Sequence, residues 1–259
     1  MRGKNTYITL IIIIAIFFVF MFFVFGLPNI KKNNYSTTII VSDEAIWNYR
    51  EKKWENISSN SSIQKLNWKK YKVFVNNSEL GDYYLWKDDK WYVFDDNRSA
   101  VNIDGDLFAY QSNFDLKVYN FMEGKITDRT YVDQVLSENQ LSINSKFTSS
   151  SVVSFDFDFD GVSENFYFIT NAFPDDFIPD HIFSLVFMEK NGEIYPIYTD
   201  VSSNRGFNGC KPYFRSFLDV NNDNISEFIL SCSRYSTAGV VDMLYEFQDG
   251  EFKILISNQ

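Results

Sequence analysis

A nine-residue acidic pattern occurs twice in this chain, and each copy stands at the same place in a longer repeat. Residues 156–164 read DFDFDGVSE and residues 219–227 read DVNNDNISE. The shared pattern is Asp, any residue, Asp or Asn, any residue, Asp, Gly or Asn, Val or Ile, Ser, Glu. Each copy leads into an apolar run, Phe166-Tyr167-Phe168-Ile169 or Phe228-Ile229-Leu230. A hairpin signal follows each run. The first joins 183–188 to 194–198 through Asn191-Gly192-Glu193, and the second joins 243–247 to 252–256 through Asp249-Gly250-Glu251. The loops lie 63 residues apart and the hairpin turns 58 apart. Loop, strand, connection and hairpin recur in one order, which predicts β units of the propeller kind over 151–259.

The pattern carries a ligand chemistry. Calcium takes six to eight oxygens, many of them carboxylate, from a flexible turn. Acidic groups at positions 1, 3 and 5 can converge, with a backbone carbonyl at position 7 and a carboxylate at position 9 closing the sphere. The first loop would supply Asp156, Asp158, Asp160, the Val162 carbonyl and Glu164; the second, Asp219, Asn221, Asp223, the Ile225 carbonyl and Glu227. Gly161 and Asn224 stand where the chain must turn sharply, and both residue types tolerate positive φ. An EF-hand would need an acid at position 12, where Tyr167 and Leu230 stand. The alternation of Phe and Asp over 155–160 also has the period of a strand with Phe inside and Asp outside. The second copy drops the phenylalanines and keeps the acids, which favours the ligand set. A further cluster, Asn102, Asp104 and Asp106 around Gly105, has no later acid and reads as an ordinary turn.

These loops resemble the calcium loops of FG-GAP and VCBS-type repeats, as in integrin α-chain propellers and bacterial surface proteins. The resemblance covers 151–259 and rests on the loops. The first copy matches at each ligand position. The second departs with Asn221 for Asp and Asn224 for Gly. What the resemblance implies is a propeller-like all-β fold and structural calcium.

Upstream, strand signals run from 38 to 41, from 72 to 75, from 107 to 110 and from 116 to 122. Hairpins are expected at 46–49 facing Trp54, and at Tyr83-Tyr84-Leu85-Trp86 turning into Trp91-Tyr92-Val93-Phe94. Residues 56–64, rich in Asn and Ser, read as a loop. One helix is expected after Asp128, with Val132, Val135 and Leu136 on its apolar face. The expected organisation is a short tail (1–6), a membrane segment (7–27), a stalk (28–37), an N-terminal β region (38–136), a Ser/Asn-rich connection (137–150) and the repeats (151–259). The fold class is thus an all-β ectodomain, either propeller-like or two packed β subdomains, behind one transmembrane helix.

Residues 7–27 are uncharged and rich in Ile and Phe, and about twenty such residues span a bilayer core. The run is longer than a signal-peptide core and lacks a small-residue cleavage site, so an uncleaved signal anchor is favoured over a cleaved signal. The chain carries a net charge of −10, which opposes contact with phosphate backbones and excludes nucleic acid as the expected partner. Calcium loops and a cysteine pair suit an extracytoplasmic compartment, which places the N-terminus in the cytoplasm and the remainder outside. Cys210 and Cys232 flank the second loop; a bridge there would tie its two arms together, and two free thiols are the alternative. His181, the sole histidine, has no adjacent nucleophile in sequence. The expected function is a membrane-anchored binding or adhesion-type module for a protein or glycan ligand, without catalysis. A glycan-acting surface hydrolase and a structural partner of an envelope complex are the alternatives.

Overall fold

The strand signals resolve into three antiparallel sheets. The structure, a computed structural model, describes residues 36–258 other than 52, 115, 173–180, 203–209 and 235–238. The expected membrane segment at 7–27, the tail before it and nearly all of the stalk lie outside the described residues. Among those that are described, no helix is long and apolar enough to cross a membrane.

The first sheet has eight strands: β1 (Ser36–Ile40), β2 (Ile46–Arg50), β3 (Lys53–Asn56), β4 (Lys70–Val75), β5 (Ser78–Lys87), β6 (Trp91–Phe94), β7 (Ala100–Val101) and β8 (Leu107–Gln111). Their spatial order is β3-β2-β1-β8-β4-β5-β6-β7. Two short strands follow, β9 (Lys117–Tyr119) and β10 (Glu123–Gly124). Then come two four-stranded meanders. The first is β11 (Ser149–Phe155), β12 (Glu164–Thr170), β13 (Ile182–Lys190) and β14 (Glu193–Ser202). The second is β15 (Cys210–Asp219), β16 (Glu227–Arg234), β17 (Val240–Gln248) and β18 (Glu251–Ser257). β10 extends the first meander beside β11, and β9 extends the second beside β15, so each becomes a five-stranded sheet. Strands from within 38–136 thereby complete both sheets of the C-terminal repeats.

The sheets stack face to face, as alternate residues show. Phe217, Phe228, Leu230, Met243 and Tyr245 of the second meander pack on Val153, Phe166, Phe168, Val186 and Met188 of the first. Their sequence neighbours Leu218, Ile229 and Leu244 point the other way, into Ile39, Trp47, Phe74 and Phe108 of the eight-stranded sheet. β15, β16 and β17 are therefore buried on both faces over most of their length, while β18 at the sheet edge is half-exposed. Fully burying one such aliphatic or aromatic side chain contributes about 1.5–3 kcal/mol. The outer face of the first meander is covered by a helix, and its Val132, Val135 and Leu136 meet Tyr167, Ile169 and Phe187.

Several expectations are corrected. Each sheet is open, with two free ends, so no ring closes. The Asn/Ser-rich stretch 56–64 is not all loop: Ser59 caps a one-turn helix, α1 (Asn60–Gln64), by accepting the Ser62 N–H. The helix after Asp128 is α2 (Thr130–Glu138), with Arg129 at the cap position; the Asp128 carboxylate accepts the Thr130 N–H at 2.9 Å. The strand expected over 116–122 shrinks to β9. The two-residue hairpin turns form as read, with Asn191 and Gly192 at φ 55° and 84° and Asp249 and Gly250 at φ 57° and 83°.

Candidate cation loops and an arginine cleft

Both acidic patterns fold as corners between the first and second strands of a meander. Loop 156–164 joins β11 to β12, and loop 219–227 joins β15 to β16. Phe155 is the last strand residue of β11, so the Phe/Asp alternation does not continue as a strand. Phe157 is buried in the core while Phe159 is largely exposed.

The two corners share one skeleton. The Glu at position 9 turns back to accept the N–H of position 2, Glu164 from Phe157 at 3.2 Å and Glu227 from Val220 at 2.9 Å. The Asp at position 5 accepts the N–H of position 7, Asp160 from Val162 and Asp223 from Ile225, each at 2.8 Å. Position 6 has positive φ in both, 90° at Gly161 and 64° at Asn224. So does position 4, at 54° for Phe159 and 58° for Asn222, which the pattern of acids did not reveal. A bulky aromatic at positive φ is strained; Phe159 is held there against Tyr119 and Phe155. The corners lie side by side, since the Ser226 N–H donates to the Phe157 carbonyl at 2.7 Å.

Their charges are arranged differently. In the first loop, carboxylate oxygens of Asp156, Asp158 and Glu164 lie within 4.8 Å of one another. The Lys190 ammonium, from the end of β13, sits among them. It pairs with Asp158, with Asp160 at 3.1 Å and with Glu164 at 3.0 Å. Burial works to lower the Lys190 pKa, but the three carboxylates outweigh it and hold it above its ordinary value. Asp160 lies below the usual carboxylate range, chiefly through the Val162 N–H and then Lys190. Glu164 is pushed up by burial, with Lys190 opposing.

In the second loop Asp219 and Glu227 are buried. Lys117 of β9 reaches Asp219 at 3.3 Å and the Asn224 side-chain oxygen at 3.5 Å. Asn221 and Asp223 bond one another. Burial raises Glu227 to about 8, against the Val220 N–H that favours its ionised form. Asp156, Asp158 and Asp219 each keep one buried carboxylate oxygen without a hydrogen-bond donor. In the first corner this leaves converging carboxylate oxygens of the kind a cation binds, whereas Asp219, Asp223 and Glu227 of the second form no such converging set among the described residues. Val162 is exposed and Ile225 packs on the core, so only backbone carbonyls are offered at position 7.

Cys210 and Cys232 are bridged, with Cα atoms 5.3 Å apart. The bridge pins the start of β15 to β16, and the second loop closes the far end of the same strand pair. Between these pins lies a β-bulge: Phe214 pairs with Leu230 and Ser216 with Ile229, leaving Arg215 as the extra residue. Bulges re-aim side chains, and this one buries Arg215 beside the eight-stranded sheet. Its Nε donates to Ser231 at 2.8 Å and to Asp242 at 3.1 Å, and one terminal nitrogen donates to the Tyr213 hydroxyl at 3.1 Å. Asp242 is buried and also accepts from Ser42 at 2.7 Å. The remaining nitrogen lies 3.6 Å from the exposed Asp106 carboxylate.

That last edge lines a cleft of about 680 Å³, together with Asp43, Glu44, Tyr92, Ile103 and Asp106. Sequence reading missed this constellation and both lysines, because nothing local links residues so distant in the chain. The cluster at Asn102, Asp104 and Asp106 is a turn clasped by Asn76, which accepts the Asp106 N–H at 3.0 Å. His181 is exposed, and its carbonyl accepts from Asn171. No protein-family model, curated protein or solved structure matches this chain.

Proposed function

We propose that this chain is a membrane-anchored, extracytoplasmic binding module that holds a glycan in the cleft between the eight-stranded sheet and β15. Residues 7–27 are its anchor, and the N-terminus is cytoplasmic. The observation that carries the reading is Arg215. A bulge delivers it, Asp242, Ser231 and Tyr213 lock it, and its remaining nitrogen faces the cleft beside Asp106. A guanidinium so fixed is pre-organised for recognition, because little side-chain entropy remains to be lost on binding. The lining supplies acceptors (Asp43, Glu44, Asp106), donors (Arg215, Lys90) and apolar surface (Tyr92, Ile103). Hydroxyl groups both donate and accept, so a sugar meets this mixture better than an anion, which would face three carboxylates against two cations.

The acidic loops serve the same purpose indirectly. They are cation-held corners, with calcium as the external ion, and the second fixes the end of the strand that carries Arg215. Asp156, Asp158, Asp160 and Glu164 would hold the ion in the first, and Asp219, Asn221, Asp223 and Glu227 in the second. The in-phase placement of loops in two four-stranded meanders supports the likeness to FG-GAP and VCBS repeats.

Three acids in the same cleft also support a second reading, a glycan hydrolase. One experiment separates the two. The full-length chain in detergent micelles is applied to an immobilised glycan panel, and the same glycans are assayed for cleavage. Saturable binding without turnover, weakened at least about tenfold by Arg215→Lys because the fixed, cleft-facing guanidinium nitrogen is lost, is the expected result. Turnover abolished by Asp106→Asn would favour the hydrolase, and absence of binding to every glycan would overturn the glycan reading.

A further inference from the structure

A run of three or four acids in nine residues repels itself unless a positive charge stands near, and in each corner the chain brings one of its own. Lys190 and Lys117 come from different strands, β13 and β9, which are unrelated in the repeat. Both end on the same class of target, the acids of a corner. Lys190 goes furthest. Its side chain is only 18% exposed, its ammonium meets three carboxylates, and it lies 5.3 Å from the centre of the Phe157 ring. Asp158 and Glu164, which it approaches, belong to the one set of converging carboxylates found among the described residues. An ammonium with oxygen neighbours at about 3 Å and a calcium ion with neighbours at about 2.3–2.6 Å ask for the same oxygens and cannot both stand there.

We propose that Lys190 is the resident cation of the first corner and competes with the divalent ion for it. The inference rests on the reading of that corner as a cation site. At low calcium the ammonium neutralises part of the cluster and keeps the β11–β12 corner folded. At high calcium the ion takes the carboxylates and the lysine swings to solvent on its flexible stem, from the last position of β13 beside the Asn191-Gly192 turn. Lys190 thus sets the calcium concentration at which the corner is occupied. Lys117 reaches one carboxylate of the second corner, so its effect on that corner is smaller.

The test is calcium titration by isothermal calorimetry of the full-length chain in detergent micelles, in an Asp219→Asn background that leaves the first corner as the site read. Lys190→Met should bind calcium at least about tenfold more tightly, because a unit charge at contact distance no longer opposes the ion. Lys190→Arg, which keeps the charge, should not tighten binding. Lys190→Gln, which keeps a hydrogen-bond donor, provides the neutral side chain if the Met variant does not fold, with the same expected gain. Equal calcium affinity in the neutral variants and the parent overturns the competition and leaves the calcium reading standing. Calcium bound by none of the four chains overturns both.

Discussion

The two acidic corners have the same backbone and opposite electrostatic problems. In both, a position 9 glutamate closes the turn and positions 4 and 6 take positive φ. In the first corner one lysine serves three carboxylates, and the acids other than Glu164 keep contact with solvent. In the second, Asp219 and Glu227 are buried, the one lysine reaches a single carboxylate, Asp219, and Glu227 keeps its proton far above the usual range. The ligand pattern in the sequence ranks the first corner as the better calcium site. The fold shows that the same pattern can be balanced from inside the chain, by residues the pattern does not contain.

The largest contrast lies in pH. Glu227 has a folded pKa of about 8 against an ordinary 4.5, so the native state holds a proton that the unfolded chain releases. Stability in chelator should therefore fall as pH rises through that window, by roughly 3–5 kcal/mol if this group acts alone. Denaturant melts of Glu227→Gln should lose most of this slope; a slope unchanged in the variant would mean that Glu227 is not the buried group responsible.

Next comes the bridge, which the second meander has and the first lacks. Cys210→Ser with Cys232→Ser should cost about 3 kcal/mol in urea unfolding, from the chain entropy released in the loop it closes. Urea midpoints that coincide with wild type would show that the second corner holds β15 and β16 together without it.

The lysines separate the corners further. In chelator, Lys190→Met should cost about 2 kcal/mol because it strands a buried Glu164. Lys117→Met, at an ammonium that is 45% exposed, should cost under about 1 kcal/mol. Equal losses in thermal melts would erase the distinction drawn between the corners.

The smallest effect is at position 6. A Cβ on Gly161 meets nothing within 4 Å, so Gly161→Ala tests conformation alone at φ +90° and should cost about 1 kcal/mol. Asn224→Gly should change stability by only a few tenths of a kcal/mol, since Asn already tolerates φ 64°. A tolerated Gly161→Ala would mean that the corner relaxes to another turn.

What could be read from sequence was local. Asn191-Gly192 and Asp249-Gly250 announced their turns because only a few residue types accept that backbone. Val132, Val135 and Leu136 announced a helix face, and the paired cysteines announced a bridge whose arms a loop already brought together. The turn positions of the corners were legible at Gly161 and Asn224 and hidden at Phe159, where tertiary contact with Tyr119 overrides the local preference. The sheet stacking, the insertion of β9 and β10, the two lysines and the Arg215 bulge depend on contacts between distant segments. A lysine at a strand end, such as Lys190, reads as a solvated edge charge until the neighbouring loop is placed beside it.

The central claim is that both corners are held by cations, and thermal unfolding of the full-length chain in detergent micelles tests it most directly. Wild-type chain, Asp156→Asn and Asp219→Asn are melted in chelator and in calcium. Calcium at about a hundred times its Kd should raise the wild-type Tm by roughly 5–10 °C. Each substitution should remove part of that rise. Superimposable wild-type curves in chelator and calcium, with Lys190→Met equally indifferent to the ion, would contradict the claim.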